Sequence, residues 1–231
     1  ETDPDGKVCR VFAGVGKTPA DPLNARWLAA RLPAGDYQLA EVPDGLDTGL
    51  FAHGWVEGAY LFDRYKARPE RGRARLVVGN GDGIEAVRGV AAACLLVREM
   101  VDTPAQDMGP LQLETIAREI AESSGAALTV TTGDALIEEN YPAIHAVGRA
   151  AEPGRAPRLI EIGWNLDKTE LPLVALVGKG VVFDSGGLDI KGAAGMRHMK
   201  KDMGGAAHVL GLGRLIMQAG LKVRLVVLVA A

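Results

Sequence analysis

A chain of 231 residues with 48% apolar content can bury a substantial core, arranged as one large domain or two modest ones. Its net charge of −3 and pI near 5.9, with Lys and Arg scattered among acids, offer no basic field to nucleic acid or an anionic membrane. No apolar run approaches the ~18–20 residues that span a bilayer, ETDPDGK at the N-terminus is no leader, and Cys9 and Cys94 lack metal-type spacing, so a reduced, cytoplasmic setting is expected.

The first block, 1–82, reads as a small α/β domain built of short elements. KVCRVFA, Lys7 to Ala13, predicts a strand, and Arg26 to Leu32 a short helix closed by Pro33 and Gly35. Gly16, Lys17 and Thr18 resemble the end of a phosphate loop. That motif needs a glycine five places before Gly16, where Val11 stands, so the stretch reads as an ordinary turn. Trp55, Tyr60 and Phe62 are expected to be packing residues, because no basic side chains are interleaved with them as in a stacking platform. A charged run, KARPERGRAR, then marks a loop or domain edge before a strand at Leu76 to Val78.

A linking helix is expected over 83–101. Val87, Val90, Ala91, Cys94, Leu95 and Val101 recur at three- and four-residue spacings, one buried stripe on which Cys94 is a small core residue. The third segment, 102–231, opens on the loop DTPAQDMGP and a helix whose apolar face is Leu113, Ile116, Ala117 and Ile120, ended by Gly125. Strands and helices then alternate. Strands are predicted at Leu128 to Val130, Ile144 to Val147, Arg158 to Trp164, Leu173 to Phe183 and Lys222 to Val229, with helices near Asp134 to Glu139 and Gly205 to Gln218. The pattern implies an α/β fold with a mixed, mainly parallel sheet flanked by helices, and His145 is expected as a satisfied interior residue of a strand.

Ligands of such sheets gather at the carboxyl ends of strands, and here the strand from Leu173 runs into Gly178, Lys179 and Gly180. Beyond it, the segment from Leu176 to His208, LVGKGVVFDSGGLDIKGAAGMRHMKKDMGGAAH, collects Lys179, Asp184, Lys191 and Asp202 among glycines that let the backbone turn. Asp202 alone reads as a helix cap. Together, the two carboxylates suit a divalent ion such as zinc, manganese or magnesium, which a lysine joins only as a neutral amine. A second, protonated lysine would stabilise negative charge on a substrate oxygen.

This segment closely resembles the metal-binding segment of the leucyl aminopeptidases, dinuclear peptidases also called cytosol aminopeptidases. The match runs through GKG, FDSGG, the lysine four residues on, and DMGGAA, and continues in IHAVGRA, TPAQDMGP and GAYLFDRYK. The resemblance implies that Lys179 and Asp202 are ligands of one metal, that Asp184 bridges two, that Lys191 is the catalytic lysine that also meets the substrate, and that Met199 lines the pocket for the substrate's first side chain. It implies two divalent ions (Zn or Mn, with Mg a further option), peptide substrates with a free N-terminus and a leucine-type preference, a bicarbonate base held by an arginine, and a homo-hexamer of two trimers. His198 and His208 match no family ligand, and Gly195 stands where the family often has Asn.

The family's second metal-binding motif, Asn-Thr-Asp-Ala-Glu-Gly-Arg, does not occur here, and the sequence ends on the apolar KVRLVVLVAA. Two Asp and one Lys bring two negative charges toward the four positive charges of two ions, so further carboxylates are needed. The expectation is an amino-terminal portion of such an enzyme, its first domain incomplete, that by itself binds metal weakly and hydrolyses little. The rival expectation is a non-catalytic α/β module that keeps the loop for an anion or a partner.

Overall fold

The computed structural model describes residues 1–14, 21–66, 72–79 and 83–231. The turn at Gly16 to Thr18 and most of the charged run after Lys66 lie outside them. The chain forms two compact units, Glu1–Leu95 and Leu96–Ala231.

In the first unit, helices α1 (Pro22–Arg31) and α2 (Thr48–Ala59) pack against each other and on a two-stranded parallel ribbon of β1 (Gly35–Tyr37) and β2 (Ala74–Leu76). Asp47 caps α2, its Oδ1 accepting the N–H groups of Gly49 and Leu50. The helices approach closely because Gly58 lacks a side chain: a Cβ there would lie 2.2 Å from the Arg26 carbonyl oxygen. Phe51 and Trp55 fill the small core with Ala25, Leu28 and Ala74, and Trp55 Nε1 donates to the Ala74 carbonyl at 3.2 Å. Trp55 is thus a packing residue with its polar atom satisfied. The strand predicted at Lys7 to Ala13 is not formed; among the described residues only an isolated Thr2–Val8 bridge is present, and Phe12 is 75% exposed. An apolar run with β-propensity still needs a neighbour to pair with and a face to bury.

Helix α3 (Ile84–Asp102) starts in the first unit and ends in the second. Helix α4 (Pro110–Ser124) begins with Pro110 after Gly109, whose N–H is taken by the Gln112 side chain, and stops at Gly125 in the left-handed conformation, φ 63°. Strand β3 (Ala127–Thr132), the short helices α5 (Ala135–Glu138) and α6 (Pro142–Gly148), β4 (Arg158–Trp164), β5 (Leu173–Lys179), the single turn α7 (Ala193–Met196), α8 (Gly204–Gln218) and β6 (Arg224–Ala230) complete the unit.

The four strands form one sheet in the order β3-β4-β6-β5. It is mixed, as expected, but in this part the balance is antiparallel: β3 with β4 and β4 with β6 run antiparallel, and β5 with β6 parallel. Only β5 and β6 are joined by a long helical crossover, which a parallel pair requires. The strand predicted at Ile144 to Val147 is instead α6. Pro142 sits at its first turn, with φ already suited to a helix, and Ala143 and Ala146 are strong helix formers. His145 is therefore a helical residue, its Nε2 3.1 Å from Asp134 Oδ1.

Helices α4 and α8 cover one face of the sheet, α4 over β3 and β4, α8 over β5 and β6. Leu113, Ile120, Met203 and Leu210 join Ile160, Ile162, Leu225, Val227 and Val229 in one core, each of these nine at most 4% exposed. Each large side chain buried there contributes about 1.5–3 kcal/mol of transfer free energy, which fixes the sheet beneath the loops of the site. At the rim, Arg158 is buried and ion-paired to Glu114 of α4.

Candidate active site

The site lies where the carboxyl ends of β5 and β6 come together, with Lys179 in register beside Ala230. The start of α8 is pressed onto the end of β5: a Cβ on Gly178 would be 2.5 Å from Val209 Cγ2, and one on Gly205 2.9 Å from the Lys179 nitrogen. These glycines bring the helix start and the strand end close enough for Lys179 and Asp202 to share a neighbourhood.

Past β5 the chain turns through Asp184. Its Oδ1 accepts the Gly186 N–H at 2.9 Å, and the Lys191 N–H donates to the Ser185 carbonyl at 2.9 Å, closing a loop. Gly186, at φ 90°, has no room for a side chain, since a Cβ would meet the Asp189 carbonyl oxygen at 2.3 Å. The loop sets Lys191 Nζ 2.8 Å from Asp184 Oδ2, both side chains about one-third exposed. Met199 supports the pair from below. It is 3% exposed, and its sulfur lies 3.5 Å from the Asp184 backbone nitrogen and 3.7 Å from Lys191 Nζ.

Asp202 sits in a 3-10 turn, Met199–Met203, that leads into α8. It does not cap that helix, whose cap residue is Met203 and whose first-turn N–H groups donate to no cap side chain. Its carboxylate instead accepts from Lys201 Nζ at 2.8 Å. That hydrogen bond is the main reason its carboxyl is held below the usual range; burial opposes it, and the charges of Lys201, Lys179 and Lys191 add to it. The charges of Lys179 and Lys191 thus both act on Asp202, whose direct partner is Lys201. Lys179 Nζ has no hydrogen-bond partner among the described residues.

The structure therefore joins Asp184, Lys191 and Met199 by direct contact, with Lys179 at the adjoining strand end and Asp202 just before the helix start packed on that strand end. His198 is exposed, and His208 turns its Nδ1 to the Gly204 carbonyl at 2.6 Å. Two supporting residues escaped the sequence reading. Lys200 Nζ donates to the Asp102 carbonyl at 2.9 Å and its carboxylate at 3.3 Å, tying the 3-10 turn to the end of α3. Arg155 holds the loop after α3, donating to the carbonyls of Ala105 at 2.8 Å and Gln106 at 2.6 Å. Arg155 and Gln106 line a cleft of about 1010 Å³ together with Ile144, Val147, Phe183 and Asp184, so Asp184 faces both the cluster and the cleft.

Chemically, carboxylates and a lysine amine with no hydrogen-bond partner among the described residues, gathered near one strand end, can help hold a cation, and a second lysine beside them can stabilise an oxyanion. The sequence model of the "Cytosol aminopeptidase family, catalytic domain" matches residues 95–231, and that of the "M17 aminopeptidase, N-terminal domain" matches residues 2–79. The chain belongs to the cytosol aminopeptidase family. A probable cytosol aminopeptidase from Rhodococcus opacus is 34% identical over 229 residues, 90% of this chain and 45% of the relative. The crystal structure of cytosol aminopeptidase from Coxiella burnetii superposes with a TM-score of 0.88 at 38% identity, over 100% of this chain and 49% of that one. The bottromycin maturation enzyme BotP, in complex with Mn, superposes with a TM-score of 0.78 at 28% identity, over 99% and 52%. The chain spans about half the length of the cytosol aminopeptidases it matches. No helix among the described residues is long and apolar enough to cross a membrane.

Proposed function

We propose that the complete protein is a cytosolic aminopeptidase that releases N-terminal residues, with a leucine-type preference, from peptides, and that this chain supplies one part of a site for two divalent metal ions. The observation that carries the reading is the convergence of Asp184, Asp202, Lys179 and Lys191 at one sheet edge. The donor set fits a divalent cation. Asp202 stays ionised, Asp184 presents its carboxylate to both cluster and cleft, and Lys179 has an amine that no protein group occupies among the described residues.

In this reading Lys179, Asp184 and Asp202 would hold the ions. When bound, the two ions supply Lewis-acid polarisation of the scissile carbonyl and activation of water. The Lys191 side chain steadies the charge that develops on the carbonyl oxygen. Met199 lies behind Asp184 and Lys191, from where it would border the pocket for the first side chain. The loop clamped by Arg155 walls the cleft in which the peptide's apolar side chain is shielded from water. Two Asp and one Lys bring two negative charges toward four, so the complete site would draw on further carboxylates; the family resemblance adds an arginine for bicarbonate and assembly as a hexamer. The chain alone then binds metal weakly and turns over little.

Manganese(II) titration followed by thermal unfolding tests this reading. Saturation at about a hundred times Kd adds about 2.7 kcal/mol of stability. Asp184→Ala should abolish that gain; an unchanged gain would favour a module that keeps the loop for an anion or a partner.

A further inference from the structure

Outside the aminopeptidase site, the first unit holds a second group of ligand-type side chains that the proposed activity does not use. His53 and Glu57 stand one helical turn apart on α2, and Cys94 comes from α3; one ligand atom from each lies within 4.8 Å of the other two. Residues at i and i+4 project from the same helix face. The two helices are already in contact, since a Cβ on Gly49 of α2 would lie 3.4 Å from Val87 Cγ2 of α3. We propose that His53, Glu57 and Cys94 form a cation site of the zinc class that clips α2 to α3 within the first unit.

Three observations support it. The donors are an imidazole nitrogen, a carboxylate oxygen and a sulfur, a borderline set that suits zinc and cobalt(II) and is foreign to magnesium or calcium. The spacing is close to what one ion needs. Donors at about 2.0–2.3 Å from a tetrahedral zinc sit roughly 3.3–3.7 Å apart, so the three must close by about an ångström, within reach of small side-chain rotations. Finally, His53 Nδ1 is buried and has no hydrogen-bond partner among the described residues, the kind of polar atom that is costly to bury until something fills its lone pair or takes its proton.

The charges also balance. Glu57 is 6% exposed, and Arg26 donates to its Oε2 at 3.0 Å. With Arg26 offsetting one negative charge, a thiolate and a carboxylate around a dication leave a net single positive charge on the group, shared with the guanidinium. A carboxylate has two oxygens, and one can serve Arg26 while the other serves the ion. The site is half-buried between two helices, so its role is to brace the unit. Cysteine spacing could not show it, because the partners are one His and one Glu on another helix and not a second Cys.

Cobalt(II) is the probe, added to the intact, reduced 231-residue chain. A thiolate ligand gives a near-ultraviolet charge-transfer band that the oxygen and amine donors around Asp184 cannot give, so the readout is independent of the aminopeptidase reading. The band is expected in the parent, in Cys9→Ser and in an Asp184→Ala, Asp202→Asn double variant, and it should be lost in Cys94→Ser. His53→Gln should weaken cobalt binding by roughly 10–100-fold, at least the loss seen when an outer partner of a metal ligand is removed. Absence of a thiolate band in the folded parent would overturn the proposal, as would an undiminished band in Cys94→Ser. If Cys94→Ser proves poorly folded, the parent spectrum and His53→Gln decide.

Discussion

Lys191 Nζ donates to Asp184 Oδ2 at 2.8 Å, so the protein itself puts a positive charge where the proposed function puts a metal ion. The pair is about one-third exposed on each side, which limits its worth to about 0–1 kcal/mol. An incoming dication must compete with that interaction. Lys191→Met should therefore tighten manganese binding by about two- to fivefold, the equivalent of up to about 1 kcal/mol, read by calorimetric titration. The same variant should lose hydrolysis in the complete enzyme, because the charge that steadies the oxyanion goes with it. Weaker manganese binding in Lys191→Met would show that Lys191 positions Asp184 as a ligand and does not compete for it.

Met199 is the support shared by that pair. Cutting it back to Ala removes a buried side chain from under Asp184 and Lys191, and buried Met→Ala changes cost about 2–5 kcal/mol. Met199→Leu keeps the volume and should cost under about 1.5 kcal/mol while still removing the sulfur contacts. Urea unfolding checks the stabilities. If Met199 serves only as packing, the Leu variant will bind manganese as the parent does; if the sulfur also holds the Asp184 backbone, binding will fall although stability does not.

Most of the second unit was legible in the sequence because its elements carry clear physical signals. Arg158–Trp164 carries Ile160, Ile162 and Trp164 at alternate positions, a strand spacing, and the 3.6-residue stripe of α4 ends at a glycine that takes a positive φ. Charged residues among glycines pointed to a polar site after β5, the resemblance of the motif made that reading specific, and the structure shows the Asp184–Lys191 contact within it. What failed was local ambiguity. YPAIHAVG is short and apolar, equally compatible with strand and helix until Pro142 is given weight as a helix start, and KVCRVFA had propensity without a pairing partner. Lys200 and Arg155 were invisible for a different reason. Each acts on backbone carbonyls far away in the chain, and no sequence spacing records that.

The junction between β5 and α8 has no spare volume. Gly205→Ala would bring a methyl to 2.9 Å from the Lys179 nitrogen and 3.2 Å from its carbonyl oxygen, both backbone atoms that cannot rotate aside. Overpacking of this kind costs about 1–3 kcal/mol and should also pull Asp202 away from Lys179, so stability and manganese binding fall together. Gly204→Ala is the control. It lies one residue away, and its nearest neighbour would be Val101 Cγ2 at 4.0 Å, so the helix should gain slightly in stability. Equal losses in both variants, measured by thermal unfolding, would contradict the close-packing account.

Asp202 gives the site its dependence on pH. Its carboxyl is held below the usual range, chiefly by the Lys201 hydrogen bond and further by the charges of Lys201, Lys179 and Lys191. For a group depressed on folding, the stabilisation is fully present above its unfolded value, roughly 3.9, and is lost as pH falls through the lower folded value. Asp202→Asn should therefore differ from the metal-free parent by a constant amount above about pH 5, with the difference shrinking toward zero as acid protonates Asp202 in the parent. Lys201→Met removes the largest cause and should raise the Asp202 titration, followed through its side-chain carboxyl carbon by NMR, toward the ordinary range. Part of the depression should survive in that variant, because Lys179 and Lys191 still face the carboxylate. A titration that returns fully to the ordinary range would mean that Lys201 alone sets the charge of Asp202, and that the other two lysines are too remote to share a metal site with it.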